Sequence, residues 1–213
     1  MSSVEEYLVP TAFGEDEFYE KKSHFIGRAW PVETEEEALE KIQQMKKQHY
    51  DATHNCWAYV IKDGPMRFSD DGEPQGTAGM PMLNILRNSG LRKVVAVVTR
   101  YFGGVKLGTG GLVRAYGGAV SKCIKSSVVV NMHKVAFMDM VTDYDGFSKL
   151  STLLKKLEIP QISVEYGNVV QLKIALKIED QSSEERFISK LYDLFNGKEI
   201  ITKKEYGYHP FKV

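Results

Sequence analysis

Two segments carry residue types dense enough to do chemistry. The first runs Phe68-Ser69-Asp70-Asp71-Gly72-Glu73-Pro74-Gln75-Gly76-Thr77-Ala78-Gly79-Met80-Pro81. Three carboxylates, Asp70, Asp71 and Glu73, crowd into four positions, and charges so close repel unless a cation, backbone amides or solvent meets them. A metal site, or a turn that salts onto Arg and Lys side chains elsewhere, is the functional reading. An acidic Asp-Gly turn ahead of a helix start is the structural one. A calcium loop is excluded, because the alternation of ligands and the terminal Glu are both absent. His54, before Asn55-Cys56-Trp57, could pair with Asp70 or Asp71 in acid–base work, and it would equally suit a polar strand edge. Gly72, Gly76 and Thr77 complete this acidic motif with His54.

The second segment is Val98-Thr99-Arg100-Tyr101-Phe102-Gly103-Gly104-Val105-Lys106-Leu107-Gly108-Thr109-Gly110-Gly111-Leu112-Val113-Arg114. Five glycines in nine positions, Gly103 to Gly111, separate an apolar run from a helical pattern, with Arg100, Lys106 and Arg114 around them. Free amides at a helix N-terminus, with the positive end of the helix dipole behind them, form an anion seat that glycines leave unobstructed. A phosphate of a nucleotide or of an RNA backbone is the obvious occupant, and a loop that only packs is the alternative. The Walker consensus is not met, since no Gly-Lys-Ser/Thr ends the loop, and neither is the dinucleotide fingerprint. Cys56 and Cys123 have no companion His/Cys cluster to make a nucleophile or metal pair. Trp57, Tyr59 and Tyr101 could stack bases, with core packing the simpler fate for Trp57.

Composition bounds these readings. The 213 residues carry 28 basic and 28 acidic side chains and are 43% hydrophobic, which excludes a disordered tail and a polycation. The balance is also local, with 16 basic against 16 acidic side chains over residues 1–132. Nucleic-acid binding therefore needs a local patch. Two cysteines among apolar neighbours make no disulfide framework and suit a cytoplasmic protein. Met1 to Glu6 lack the basic and apolar regions of a secretory signal. No apolar run approaches the ~18 residues of a membrane span, so no membrane partner is expected.

The elements that must position the two motifs read as α+β. Phe18 to Glu20 and His24 to Trp30 are strand-like, and Thr34 with Glu37 predicts a capping box for a helix burying Ala38, Leu39, Ile42 and Met45. Cys56 to Ile61 is a strand. Val94 to Thr99, apolar on both faces, is a central one. Asp63 to Gly79 reads as a loop. Leu112, Tyr116, Ala119, Val120, Cys123 and Ile124 form the apolar face of the helix after the glycines. Beyond a boundary near Asn131 to Lys134, the pattern is βαββαβ: strand Val135 to Val141, a helix capped by Asp145, strands Ile162 to Tyr166 and Val169 to Ile178, a helix capped by Ser182 and Glu185 and ended by Gly197, and strand Glu199 to Tyr206. Gly167-Asn168 signals a tight hairpin with positive backbone angles. This order predicts a ferredoxin-like sheet with helices on one face, and Lys173 and Lys177 on its open side.

The two motifs, with KKSHFIG (Lys21 to Gly27) and ATHNCWAY (Ala52 to Tyr59) before them, resemble the IMPACT family in its two-domain bacterial, YigZ-like branch. The likeness covers nearly the whole chain and is most specific over residues 20–120. It implies an N-terminal domain, residues 1–132, with the fold of the second domain of ribosomal small-subunit protein five and of domain IV of elongation factor G. It also implies a ferredoxin-like C-terminal domain, residues 133–213, similar to domain V of that factor. Eukaryotic relatives regulate translation by binding the activator of an amino-acid-starvation kinase. They carry a further domain that this sequence lacks, so that partner does not carry over. His24 stands where the family commonly has an Arg. The resemblance and the residues together suggest a translation-associated regulator that binds RNA, the ribosome or a translation protein, without DNA sequence readout. The RNA or anion surface would comprise Lys21, Lys22, Arg100, Tyr101, Gly103, Gly104, Lys106, Gly108, Thr109, Gly110, Gly111 and Arg114. A protein-binding module and an enzyme acting on a phosphorylated small molecule are the alternatives. No catalytic residue, metal or cofactor is assigned.

Overall fold

The computed structural model describes residues 6–211, which fall into two compact units, one of Tyr7–Asn131 and one of residues 132–211 with Glu6. Met1 to Glu5, on which most of the signal-peptide reading rests, lie outside the described residues.

The first unit contains β1 (Tyr7–Pro10), β2 (Gly14–Glu20), β3 (Ser23–Pro31), α1 (Glu35–Gln48), β4 (His54–Val60), β5 (Met66–Ser69), α2 (Gly79–Asn88), β6 (Val94–Tyr101) and α3 (Thr109–Lys125). Its main sheet has the order β2-β3-β6-β4-β5, with antiparallel pairing throughout. β6 takes the centre because its residues can be buried on both sides. Val94, Ala96 and Val98 face the core with α2 and α3, while Val95 and Val97 face the core with α1. β1 lies against the end of α2, where Leu8 N donates to Gly90 O and Arg92 N to Leu8 O.

Thr34 caps α1 as expected, its hydroxyl accepting from Glu37 N at 3.2 Å. The reciprocal bond reaches one residue further back, from Glu33 N to the Glu37 carboxylate at 2.8 Å. Ala38, Ile42 and Met45 are buried, but Leu39 is 39% exposed at the border of the apolar stripe. The expected loop from Asp63 to Gly79 contains β5, a short edge strand paired to β4. Its first three residues are exposed, so no alternation of buried and polar positions announces it.

The second unit follows the expected βαββαβ order, with β7 (Val129–Thr142), α4 (Tyr144–Lys156), β8 (Gln161–Tyr166), β9 (Val170–Lys177), α5 (Ser183–Leu194) and β10 (Ile201–Phe211). The strands lie in the order β8-β9-β7-β10, the split βαβ arrangement. Met138, Met140, Leu172 and Ile174 from the sheet pack with Leu150, Leu154, Phe187 and Leu191 from the helices. Three local expectations need correction. Asp143, not Asp145, caps α4, accepting from Gly146 N at 2.7 Å. Ser182 gives α5 no side-chain cap; its hydroxyl is taken up by Asp180 at 3.0 Å and by Arg186. Gly167 and Asn168 do not have positive φ, because Tyr166 pairs with Val170 and the turn has three residues in place of two.

Candidate nucleic-acid interface

The three crowded carboxylates are each met by protein partners, and the partners differ. Asp70 caps α2: its Oδ1 accepts from Ala78 N (3.0 Å) and Gly79 N (2.8 Å), and its Oδ2 from Gly76 N (2.8 Å). Such bonds satisfy amides that a helix start leaves open. Asp71 accepts from Asn55 N at 2.7 Å and pairs with Lys46 of α1, so it ties the turn to β4 and α1. Glu73 is only 7% exposed. Its Oε1 accepts from Arg100 Nη1 at 2.6 Å and from the Tyr116 hydroxyl at 2.7 Å.

Those last two bonds brace the glycine-rich segment, because Arg100 precedes it on β6 and Tyr116 follows it on α3. The brace continues outward. Arg100 Nη2 donates to Ser23 Oγ at 3.3 Å, and Gly103 N donates to the same oxygen at 3.2 Å. The guanidinium lies 5.4 Å from the ring centres of both Phe25 and Phe102. Gly103 is forced by close approach: a Cβ there would fall 2.0 Å from the carbonyl of Lys22. The loop is thereby pressed against the two-residue turn between β2 and β3.

That turn is itself unusual, since Lys21 (φ 45°) and Lys22 (φ 66°) both adopt the left-handed conformation. Side chains other than Gly and Asn pay for this conformation, and such strain concentrates at functional sites. Gly108, with φ 76°, opens α3, whose first turn receives no side-chain cap. Gly104, Lys106, Gly108, Thr109, Gly110 and Arg114 are exposed and Gly111 is half-buried. The Arg114 guanidinium lies 3.6 Å from the position a Gly110 Cβ would take. None of Lys21, Lys22, Lys106 and Arg114 forms an ion pair with a described residue. The lysines of β9 contrast with them, as Lys173 meets Asp139 and Glu205, and Lys177 meets Glu6.

Two residues assigned to the anion surface from sequence lie elsewhere. Arg100 is 5% exposed with its charge met by Glu73, because it continues the inward row of Val94, Ala96 and Val98. Tyr101 points to the opposite face of the sheet, where its hydroxyl lies 2.9 Å from His49 Nδ1 and 3.2 Å from Asp51. The expected pairing of His54 with an aspartate carboxylate is replaced by a backbone contact. His54 Nδ1 donates to the Asp71 carbonyl at 2.7 Å, and Nε2 lies 3.9 Å from Glu73. A Cβ at Gly72 would lie 3.3 Å from its imidazole, and the Thr77 hydroxyl closes the turn onto Pro74 O at 2.6 Å. Tyr59 is buried and donates to Glu35, and the half-buried Trp57 stacks on it.

Burial pushes the Cys123 thiol up to about 12 and raises that of Cys56 further, so neither is a nucleophile at neutral pH. Among the described residues no cluster of three His, Cys, Asp or Glu side chains could hold a metal ion. No helix among them is long and apolar enough to cross a membrane.

Fold and site together define a two-domain α+β protein whose first unit holds a cationic glycine-rich loop on an acidic turn. The Impact N-terminal domain pattern matches residues 21–124, and that of a domain of unknown function, DUF1949, matches residues 140–198. The chain is 40% identical over 204 residues to the IMPACT family member YvyE of Bacillus subtilis, covering 95% of this chain and 93% of that protein. It is 34% identical over 198 residues to the IMPACT family member YigZ of Escherichia coli, covering 91% and 96%. A crystal structure of a hypothetical protein, 33% identical, superposes with a TM-score of 0.58 over 95% of this chain and 96% of that one. The chain belongs to the IMPACT family.

Proposed function

We propose that this protein is a cytoplasmic, translation-associated regulator that binds RNA, free or within the ribosome, through the loop from Gly103 to Gly111 and the Lys21–Lys22 turn. The observation that carries the reading is the distribution of counter-charge. The acids of the turn are consumed in building the site, through Asp70 on amides, Asp71 on Lys46 and Glu73 on Arg100. The four cations at the surface of the site, Lys21, Lys22, Lys106 and Arg114, keep their charge for a partner. Phosphates would rest against the uncapped first turn of α3, and the four side chains would displace condensed counterions. Membership of a family whose eukaryotic branch regulates translation supports the biological setting.

Filter-binding titration against ribosomal RNA at increasing salt tests this. With four cations engaged on unpaired RNA, log K is expected to fall with log salt at a slope of about −3. Absence of binding at low salt overturns the proposal. A second reading, docking of a translation protein on the same loop, is favoured by the apolar side chains of Phe102, Val105 and Val113, which are 47%, 42% and 41% exposed. Complexes that survive nuclease treatment would support it.

A further inference from the structure

A column of rings beside the lysine turn bears on the form of RNA that the loop would take. Tyr19 of β2, His24 of β3 and Tyr101 of β6 occupy one rung of the sheet, Tyr19 paired to His24 and His24 to Tyr101. The Tyr19 and His24 rings stack with centroids 4.4 Å apart and planes within 7°, and His24 and Tyr101 follow at 6.3 Å and 26°.

The inner end of this column is fixed. Tyr101 is held by His49 and Asp51, and His24 Nε2 lies 2.9 Å from the Glu17 carboxylate. The outer end is open. Tyr19 is 69% exposed, and it stands on β2, the end strand of its sheet among the described residues. Lys21 and Lys22 begin two residues further on, and the Lys22 carbonyl touches Gly103 of the glycine-rich loop. Of the carboxylates near this column, Glu15 pairs with Arg28, Glu17 shares a hydrogen bond with His24 and Asp51 accepts from Tyr101. A ring locked by its neighbour loses little freedom when a base stacks on it, and cations beside it meet the phosphates of the same strand.

We propose, resting on the RNA reading above, that Tyr19 is a stacking platform for an unpaired base and that the site therefore selects single-stranded over duplex RNA. Bases of a duplex are already stacked and offer the protein only backbone and groove. Such RNA would engage the lysines and leave Tyr19 idle. An unpaired strand engages both.

The test compares one unstructured RNA oligonucleotide with the same oligonucleotide annealed to its complement, at fixed salt, in the full chain. The expected result is about tenfold tighter binding of the single strand. Tyr19→Ala is expected to bring the two affinities together, and Tyr19→Phe to keep the preference. A 2-aminopurine in the single strand is expected to be quenched by the native protein and not by Tyr19→Ala, which separates stacking from a general effect on the fold. Equal affinity for both RNAs in the native protein, or a preference that survives Tyr19→Ala, overturns the stacking proposal and leaves the RNA reading standing. Failure to bind either RNA overturns both.

Discussion

Glu73→Ala is expected to destabilise the protein by about 3 to 5 kcal/mol, the cost of leaving a buried ion-pair partner uncompensated. Arg100, 5% exposed, would keep its charge with only Ser23 Oγ as a hydrogen-bond partner. Tyr116, wholly buried, would lose the acceptor for its hydroxyl. Urea denaturation followed by circular dichroism measures the effect as a lower midpoint with an unchanged slope. Replacing both ends, Glu73→Leu with Arg100→Met, is expected to recover most of the loss, because exchanging a buried pair for apolar groups is often neutral or stabilising. An unfolding free energy for Glu73→Ala within about 1 kcal/mol of the native protein's would show that the pair does not brace the fold.

Gly103→Ala is expected to have the next largest effect. The added Cβ would meet Lys22 C and O at 2.0 Å, and backbone atoms cannot swing aside as a side-chain end can. Overpacking of this kind costs about 1 to 3 kcal/mol. The same displacement would part the glycine-rich loop from the Lys21–Lys22 turn, so RNA affinity is expected to fall together with the melting temperature. Gly104→Ala separates the two parts of that result. Nothing lies within 4 Å of a Cβ at Gly104, though its φ of 84° adds strain, so it should lower stability without moving the turn. Equal losses of affinity in the two variants would contradict a role for the contact with Lys22.

How far the sequence reveals this arrangement can be judged from particular residues. The apolar run of β6 announces a central strand, and the periodicity of Leu112, Tyr116, Ala119, Val120 and Cys123 announces α3, because local repeats report burial directly. The two motifs stand out by composition alone. Their roles do not. Spacing shows three carboxylates that need partners, but the partners of Glu73 come from β6 and α3, 27 and 43 residues away. Period-two alternation puts Arg100 with Val98 and Tyr101 with Thr99. Which row faces α2 and α3 is decided by the packing of the whole unit, and on that choice Arg100 becomes scaffold and Tyr101 turns from the loop. Phe102 and Tyr19 escape the sequence reading for a related reason, as exposure of one ring leaves no trace in a local pattern. The start of α4 turns on Asp143 against Asp145, two equally good caps two residues apart.

The charges tell the same story at a larger scale. A chain with 28 basic and 28 acidic side chains has no net field to attract a polyanion. Local placement changes that: Lys21, Lys22, Lys106 and Arg114 form no ion pair with a described residue at the surface of the first unit, while the nearby Asp70, Asp71 and Glu73 are held by amides, Lys46 and Arg100. The lysines of β9, with Asp139, Glu205 and Glu6 beside them, contribute no such excess.

The most direct test therefore compares two pairs of cations in one assay, the salt dependence of RNA binding. Lys106→Ala with Arg114→Ala is expected to flatten the slope of log K against log salt by about 1.4, the loss of two phosphate contacts on unpaired RNA. Lys173→Ala with Lys177→Ala is expected to leave the slope unchanged. An unchanged slope in the first variant, or an equal flattening in the second, would contradict placing the RNA surface at the glycine-rich loop.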